Sequence, residues 1–394
     1  MRIAGGVVID VRTGTASTRD VVVDGDRIAG LEAPARTDRD SVDAGGLFLL
    51  PGLIDCHIHL FCRSEDGDPA DLPRYPEENH RAYAVDAAAK TVRGGVTSAR
   101  DLGGWNHLEM GIREDVEAGR IPGPRLFLAG KLLSMPTEAV EYYPGMYRVA
   151  QGPDAVRAAA EEQLGHGADH IKVMATGAIL SPEQEDARAT QFTPEELRAA
   201  VETAEAAGKP VAAHAHARDG LENAARAGVS SIEHGTFADE SVLRLMAELG
   251  TFLVPTLSAR APANGLEGVP EHIWRRLVET ERTHIDAMRT AHRVGVRIAM
   301  GTDAGTPGNA HGMNASETAL MVEEVGMSPE EAIEASTLLP AVLLRREGEL
   351  GVLELGAFAD VIGVRVDPRE DIRELTRVVF VMKGGRIVRD DRAG

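Results

Sequence analysis

The sequence contains few cysteines, no long hydrophobic run and fewer basic than acidic residues. Its two cysteines, Cys56 and Cys62, provide no disulfide framework and suit a reducing cytoplasm. No apolar stretch approaches the roughly 20 residues that a membrane-spanning helix needs. The N-terminus also lacks the basic and apolar regions of a signal peptide. These absences predict a cytoplasmic protein that has no membrane partner.

The charge balance of the chain bears on its partners. Lysine and arginine number 42 against 62 aspartates and glutamates, which gives a formal net charge of -20. Nucleic acids and anionic membranes both require a basic surface, so we expect neither as a partner. The acidic excess is interpreted mainly as a soluble surface. A small molecule is the expected partner, and assembly into a homo-oligomer stays open.

Short β-rich segments occur at both ends of the chain and are broken by glycine and aspartate. They are Ile3–Val11, Val21–Val23, Ile28–Ala29, Phe358–Val366, Val378–Met382 and Arg386–Val388. The pair Gly384-Gly385 predicts a hairpin turn between the last two. Because both ends are β and the middle is not, we predict one small β-sandwich domain built from residues 1–50 and 350–394.

The middle of the chain alternates apolar runs with helical patterns, as in a (β/α)8 TIM barrel of about 250 residues. The runs are Leu49–His57, Ser98–Leu102, Arg125–Ala129, His170–Ala175, Val211–His214, Ser231–Glu233, Phe252–Leu257 and Arg297–Met300. One helix has a clear start, with Thr193 at the N-cap and Glu196 completing a capping box. An open doubly wound sheet usually has a glycine-rich phosphate turn, which is absent. We therefore predict an α/β fold whose barrel covers residues 51–349.

Several metal-binding side chains lie where predicted strands end, which is the end that carries active sites in TIM barrels. His57 and His59 alternate along the first strand, so both imidazoles face the barrel mouth. The fifth, sixth and eighth strands contribute His214, His216, His234 and Asp303. A single histidine at a strand end is often a hydrogen-bonded core residue. Agreement among so many strands instead favours a divalent metal site.

Lys172 stands in the middle of the fourth predicted strand among apolar residues. A bare ammonium group is costly to bury, and burial lowers its pKa. Three interpretations stay open. The side chain reaches solvent, it pairs with a carboxylate, or its neutral amine has reacted with carbon dioxide. The carbamate formed in the third case is an anion whose two oxygens can bridge two metals.

Five motifs, in the order PGLIDCHIHL, HIKVMATG, VAAHAHA, SIEHG and GTDAG, resemble the amidohydrolase superfamily. The stretch from Thr193 to Thr236 and the run HGMNASETALMVEEVGMSPEEAIEAST resemble its prolidase-like branch of metallo-dipeptidases and carboxypeptidases. The resemblance covers nearly the whole chain. It implies a barrel enzyme that hydrolyses the C–N bond of an amide, in a peptide or an N-acyl amino acid, by means of a metal-bound hydroxide.

The same resemblance implies two divalent metal ions, with zinc as the expected metal. The implied ligands are His57, His59 and Asp303 for the first metal and His214 and His234 for the second, with carboxylated Lys172 as the bridge. Asp303 would also act as general base and then as general acid. His216 would lie in the substrate pocket, where it could hold the scissile carbonyl or a substrate carboxylate.

The segment Lys131–Thr137 departs from the prolidase-like pattern. Members of that branch often carry Gly-Gly-His after the third strand, and the histidine helps to bind the substrate's free carboxylate. Candidates for substrate contact here are Tyr142, Tyr143 and Tyr147 and, later in the chain, Arg260 and His311. Loop packing is the alternative for the tyrosines. A non-peptide amide, lactam, carbamate or ester is therefore the alternative substrate.

A mononuclear deaminase and a binding protein are the two alternatives to an amide hydrolase. Mononuclear deaminases of the superfamily generally lack the bridging lysine and use a glutamate soon after the fifth-strand histidine, whereas this chain has Lys172 and no glutamate at 215–218. A barrel that has become a binding protein usually loses several ligands, and all six are present. Six other histidines lie on predicted helices or loops and are expected to be solvated: His80, His107, His166, His272, His284 and His292.

Overall fold

The computed structural model describes residues 1–34, 41–65, 69–260 and 269–392. Its strands are β1 (Arg2–Ile9), β2 (Ala16–Asp24), β3 (Arg27–Glu32), β4 (Ser41–Asp43), β5 (Phe48–Pro51), β6 (Leu53–Ile58), β7 (Val96–Asp101), β8 (Arg125–Leu128), β9 (Leu132–Ser134), β10 (Tyr147–Val149), β11 (Ile171–Met174), β12 (Val211–Ala217), β13 (Ser231–Phe237), β14 (Phe252–Val254), β15 (Val361–Val364), β16 (Phe380–Lys383) and β17 (Arg386–Asp390).

The α-helices are α1 (Glu77–Arg93), α2 (Leu108–Glu117), α3 (Glu138–Tyr142), α4 (Pro153–Gly165), α5 (Pro194–Ala206), α6 (Arg218–Ala227), α7 (Glu240–Leu249), α8 (Glu271–Val294), α9 (Ser316–Leu320), α10 (Pro329–Ala335) and α11 (Leu338–Leu343). Segments 69–74 and 372–377 are 3-10 helical, and 321–325 is π-helical. Among the residues described, no helix has both the length and the apolar character needed to cross a membrane.

The two ends of the chain meet in one eight-stranded sheet. Seven strands follow the order β17-β16-β15-β5-β1-β2-β3, and the eighth, β4, pairs with β1. Gly384 and Gly385 have φ angles of 54° and 71°, the left-handed conformation that a two-residue hairpin turn requires. The strands share an apolar core that includes Ile3, Leu49 and Phe380. Both termini therefore form the small β domain that the sequence predicts.

The middle of the chain forms the predicted barrel. Parallel pairing links β6, β7 and β8 in one run and β11 to β14 in another. Asp169 N donates to Leu128 O at 2.7 Å between the two runs. Residues 297–300 occupy the eighth position: Cys56 N donates to Met300 O at 2.8 Å. Within residues 297–300, the pairing consists of one isolated parallel β-bridge between Leu253 and Ile298. The α/β barrel with a terminal β domain is confirmed.

The first predicted barrel strand, Leu49–His57, is wrong in its extent. It comprises β5, which pairs within the terminal sheet, and β6, which pairs with β7. Gly52 separates them, and a Cβ atom at this position would lie 2.0 Å from Thr97 Oγ1. The Thr97 side chain thus occupies the space that a Cβ atom would need, which requires glycine where the chain changes sheets.

The helix α5 begins as predicted. Thr193 Oγ1 accepts a hydrogen bond from Glu196 N at 3.2 Å, and the Glu196 carboxylate accepts one from Thr193 N at 2.8 Å. This reciprocal pair satisfies backbone donors that the first turn leaves free. The buried face of the helix, which includes Leu197 and Val201, then packs on the barrel. Like the other barrel helices, α5 packs around the outside of the strands. The carboxyl ends of the strands stay uncovered.

Candidate active site

The side chains predicted as ligands meet at the carboxyl ends of the barrel strands. Asp303 Oδ1 lies 3.3 Å from Nε2 of His57 and 3.3 Å from Nε2 of His59. The ring centroid of His234 lies 5.1 Å from that of His57 and 4.6 Å from that of His214. The imidazoles from β6, β12 and β13 and the carboxylate after the eighth strand therefore share one site.

Two overlapping groups of side chains are compact enough to hold a metal ion. Ligand atoms of His57, His234 and Asp303 lie within 4.8 Å of one another, and so do those of His214, His216 and His234. All five residues are buried. Imidazole nitrogen and carboxylate oxygen are common donors to zinc. The geometry thus offers two neighbouring positions for divalent cations, with His234 between them.

Hydrogen bonds orient the imidazoles. Nδ1 of His57 donates to the Glu233 carboxylate at 3.0 Å, and Nε2 of His214 donates to the Gly177 carbonyl at 3.1 Å. Both acceptors lack hydrogen, so the opposite ring nitrogen carries the lone pair that a metal needs. The other three imidazoles are held through Nδ1: His59 by Gly103 O at 3.4 Å, His216 by Thr236 Oγ1 at 2.8 Å and His234 by Thr256 Oγ1 at 2.8 Å.

Burial keeps most of these imidazoles neutral. It lowers the pKa of His57 to about 4 and lowers the pKa values of His214 and His234 well below the usual range. His59 differs, because its hydrogen bond to Asp303 and the charge of that carboxylate outweigh burial and raise its pKa. A neutral imidazole is the form that binds a metal. The electrostatics of the site are therefore compatible with metal binding.

Lys172 lies inside the same site, and its side chain is almost fully buried at 1 % exposure. Its Nζ has no hydrogen-bond partner among the residues described. Burial and the nearby positive charge of Arg100 lower the pKa of Lys172 to about 8, despite the carboxylates of Glu233 and Asp303. Neither escape to solvent nor direct pairing with a carboxylate is observed. An amine of lowered pKa without a hydrogen-bond partner therefore lines the same cleft as the candidate ligands.

Local backbone conformation directs two of the side chains. His234 and Asp303 have φ angles of 72° and 60°, and Thr256, which contacts His234, has a φ of 52°. Residues other than glycine rarely adopt this left-handed conformation, and they do so mainly where the surrounding structure imposes it at functional sites. The turn at each strand end thus aims its side chain inward.

A buried ion pair lies directly beneath the histidines. Glu233 accepts hydrogen bonds from Arg100 Nη2 at 2.9 Å, from Ser231 Oγ at 2.6 Å and from His57 Nδ1 at 3.0 Å. Burial alone would raise the pKa of Glu233, but Arg100 and His57 outweigh it and lower the pKa to about 2. This pair is not apparent from the sequence, because Arg100 and Glu233 lie on different strands. Only the alternation of Ser231 and Glu233 along β13 hinted at a polar interior.

A cleft with about 1060 Å³ of empty space opens above the histidines. Its apolar lining includes Leu132, Tyr143, Met146, Tyr147, Met174, Ala178, Ile179, Leu180, Leu257, Leu277 and Ile285. Its polar lining beyond the candidate ligands includes His216, Thr236, Thr280, Glu281, His284 and Glu324. The cleft can thus hold a substrate that is apolar over part of its surface, with its reacting bond at the histidines.

The predicted substrate contacts divide into two groups. His216, Tyr143, Tyr147 and Arg260 line the cleft. The Tyr143 hydroxyl donates to a carbonyl of the wall, Leu180 O, at 2.8 Å. The guanidinium of Arg260 lies 3.6 Å from the carboxylate of Glu281.

The structure does not bring the other two predicted contacts into the cleft. Tyr142 is absent from its described lining. His311 is buried, with Nε2 3.2 Å from the His59 carbonyl and Nδ1 3.2 Å from Thr91 Oγ1. Both ring nitrogens of His311 are therefore engaged within the protein, and this residue braces the first strand end.

Several histidines that were expected to be solvated instead contact the protein, as His284 and His80 illustrate. His284 lines the cleft, and its Nε2 donates to the His234 carbonyl at 3.0 Å. His80 is buried and stacks on Trp105 with ring centroids 4.9 Å apart. The sequence did carry a signal for His284. Leu277, Thr280, Glu281 and His284 recur at helical spacing along α8 and form one face.

Comparison with known proteins agrees with this geometry. A sequence profile of the amidohydrolase family matches residues 48–388. The ochratoxinase of Aspergillus niger is 33 % identical over 382 residues, covering 88 % of this chain and 76 % of that protein. A crystal structure of a Xaa-Pro dipeptidase with methionine bound in its active site is 34 % identical, with a TM-score of 0.89 over 98 % of each chain.

A prolidase crystallised with N-methylphosphonate-L-proline is 29 % identical, with a TM-score of 0.89 over 99 % of each chain. The similarity covers both the barrel and the terminal β domain. The predicted resemblance to the amidohydrolases and to their prolidase-like members is confirmed. The chain therefore belongs to the amidohydrolase family and is a hydrolase.

Proposed function

We propose that this protein hydrolyses the C–N bond of an amide, in a peptide or an N-acyl amino acid, with two divalent metal ions as cofactors. The observation that carries the proposal is the buried Lys172 amine, which has no partner among the described residues and lies among imidazoles and a carboxylate. The names of two structural relatives, a Xaa-Pro dipeptidase and a prolidase, support a peptide-like substrate.

The chain supplies a complete donor set for two such ions. The proposed ligands are His57, His59 and Asp303 for one ion, His214 and His234 for the other, and Lys172 as a carbamate between them. Zinc is the expected metal because imidazole nitrogen and carboxylate oxygen suit it. A carbamate would give the Lys172 side chain the partners that it otherwise lacks. It would also replace a costly buried cation by an anion between two cations.

The metal pair, when bound, lowers the pKa of water and polarises the carbonyl of the scissile bond. Asp303 then takes a proton from the attacking water as its oxygen adds to the carbonyl carbon. As the C–N bond breaks, Asp303 passes that proton to the leaving nitrogen. Although burial acts in the opposite direction, His57 and His59 lower the pKa of Asp303. Asp303 therefore starts the reaction as a carboxylate, which is the base form.

His216 is the proposed substrate contact nearest to the reacting bond. Its Nδ1 lies 2.8 Å from Thr236 Oγ1, which leaves Nε2 to interact with groups in the cleft. Burial lowers the pKa of His216 to about 3, so the ring stays neutral at physiological pH. A neutral imidazole with a fixed second nitrogen can hold the scissile carbonyl or a substrate carboxylate without repelling the metal ions.

The direct test is Lys172→Ala, with metal content and turnover measured together. The wild-type protein should hold close to two ions per chain. The variant should hold fewer and turn over more slowly, and added small carboxylic acids should partly restore activity. Lys209→Ala is the matched control, because Lys209 is a surface lysine that lies 3.4 Å from Asp169. Wild-type metal occupancy in Lys172→Ala would contradict the bridging role.

Substrate screening separates the remaining alternatives. A panel of dipeptides, N-acyl amino acids, lactams, carbamates and esters shows whether a free carboxylate is required. Because one relative is an ochratoxinase, the panel extends beyond the dipeptides that the names of the dipeptidase and prolidase relatives suggest. Close to one metal ion per chain, together with release of ammonia from a nucleobase, would instead favour the mononuclear deaminase.

A further inference from the structure

The segment 178–185, which follows β11, forms part of the apolar wall of the cleft; we call it the wall segment. Ala178, Ile179 and Leu180 line the cleft. The segment has no helix or strand of its own. Within the segment, Ser181 Oγ donates to Ala178 O at 2.6 Å and Glu185 N donates to Pro182 O at 3.0 Å. Its other buried carbonyls need partners from elsewhere, because the segment has no regular hydrogen-bonding pattern. How this wall is held in place determines the shape of one side of the cleft.

Arg276 on α8 supplies most of those partners. Its guanidinium donates to five backbone carbonyls: those of Ile179 at 3.3 Å, Ser181 at 3.1 Å, Pro182 at 3.4 Å, Glu183 at 2.9 Å and Glu185 at 2.8 Å. A guanidinium presents its N–H donors in a rigid planar fork, so one side chain can fix a whole turn of backbone. Arg276 itself is not among the residues that line the cleft.

Three other side chains hold the wall segment from its remaining sides. The Tyr143 hydroxyl donates to Leu180 O at 2.8 Å, and His272 Nε2 donates to Ser181 O at 3.2 Å. The carboxylate of Glu185 accepts from Ala178 N at 3.3 Å and from a backbone N–H at the start of α3 at 3.0 Å. The wall segment is thus fixed to α8, α3 and the loop that carries Tyr143.

The cleft-facing side chains of the wall are apolar. Ile179 packs in a cluster with Ile273 and Leu277 of α8, and Leu132 and Met146 also line the cleft. Each methylene that a substrate buries against such a surface contributes up to about fourfold in affinity. A charged group placed against these apolar side chains would lose its hydration without gaining a partner from them. The wall therefore discriminates between substrates by the polarity of the group that it contacts.

We propose that the wall segment selects amides that carry a large apolar group on one side of the scissile bond, and that Arg276 positions this wall. The proposal rests on the amide hydrolase activity proposed above and adds the class of substrate. Arg276 is a positioning residue, because it acts through the carbonyls of the segment and does not contact the substrate. Its loss should weaken binding of apolar substrates and leave the chemical step intact.

The test compares matched substrates with the metal-loaded enzyme. Pairs of N-acyl amino acids or dipeptides differ only in one group, for example leucyl against aspartyl or octanoyl against acetyl, on one side of the bond at a time. The wild-type enzyme should prefer the apolar member of a pair by at least about tenfold in kcat/KM. In Arg276→Gln this preference should fall to a few-fold through a higher KM, with kcat for the small substrate within about twofold of wild type.

The controls use the same helix and the same wall. Arg282→Gln should keep the full preference, because Arg282 is 94 % exposed on α8 and lies 4.0 Å from the Asp286 carboxylate of the same helix. Arg276→Lys should not restore the preference, since one ammonium cannot reach five carbonyls. Ile179→Ser changes the wall directly and should lower the preference even if Arg276→Gln does not fold.

Binding calorimetry with matched ketomethylene analogues, in which a methylene replaces the amide N–H, gives the same comparison without turnover. Equal affinity of the wild-type enzyme for the apolar and polar analogues would overturn the selectivity. Unchanged preference in Arg276→Gln would overturn the role of Arg276. Hydrolysis of every substrate without preference contradicts only this inference. If no amide is hydrolysed, the proposed function fails, and calorimetry still decides whether the wall is selective.

Discussion

Replacing Glu233 by glutamine should separate two roles of one buried carboxylate. Glu233 balances the charge of Arg100 and accepts the hydrogen bond that orients His57. Glutamine has almost the same volume and keeps one acceptor oxygen, but it carries no charge. Glu233→Gln therefore leaves Arg100 as a buried cation without a counter-ion and removes the carboxylate acceptor of His57 Nδ1.

The expected magnitudes follow from burial. Both side chains of the pair are 0 % exposed, so solvent does not screen the interaction. Breaking a buried pair by removing one partner costs about 3–5 kcal/mol of unfolding free energy. Loss of the partner that orients a metal-binding histidine costs about 10–100-fold in metal affinity. Glu233→Gln should therefore be both less stable and weaker in metal binding.

A double variant distinguishes the two effects. Arg100→Met together with Glu233→Leu replaces the ion pair by apolar side chains, which is often neutral for stability. The double variant should recover most of the unfolding free energy, because no buried charge is left unpaired. Its metal affinity should stay low, because His57 still lacks its carboxylate partner.

Chemical denaturation of the metal-free proteins measures the first effect, and competition with a chelator for zinc measures the second. A Glu233→Gln protein that unfolds like the wild type would refute the account of the buried pair. Wild-type zinc affinity in the double variant would refute the role of Glu233 in orienting His57.

Three other predictions address the reaction, the second metal position and the fold. Asp303→Asn should retain both ions but lose about 10²–10⁴-fold in kcat; stopped-flow or steady-state turnover near the wild-type value would disprove proton transfer by Asp303. His214→Ala should lose close to one ion per chain, whereas His216→Ala should keep both ions and turn over slowly. If mass spectrometry instead finds that His216→Ala loses an ion and His214→Ala does not, His216 is the metal ligand and His214 the substrate contact. Gly52→Ala should lower the unfolding free energy by about 1–3 kcal/mol because its Cβ would lie 2.0 Å from Thr97 Oγ1; urea denaturation that shows no change would mean that the Thr97 side chain can move aside at no cost.

The sequence alone predicted the parts of the site that follow from strand geometry. His57 and His59 alternate along one strand, and active sites of barrels lie at the carboxyl ends of strands, so their convergence with Asp303 could be expected. The barrel and the joined termini were likewise visible as a change from strand-like to alternating periodicity.

Features that depend on tertiary placement were not visible in this way. His284 lies on a long helix whose cleft-facing side is set by how α8 packs, and it was wrongly expected to be solvated. The pair of Arg100 and Glu233 forms between strands that are far apart in the chain. Gly52 lies between β5 of the terminal sheet and β6 of the barrel, inside a continuous apolar run. The periodicity of the sequence therefore could not locate the boundary between the two strands.

Anomalous diffraction at the zinc edge, from crystals grown with zinc and bicarbonate, would locate the proposed metal ions. We expect two peaks, one among His57, His59 and Asp303 and the other beside His214 and His234. Electron density should extend from Lys172 Nζ as a carbamate that contacts both ions. A single peak, or an unmodified Lys172 remote from the metal, would contradict the two-metal site and the hydrolytic mechanism that depends on it.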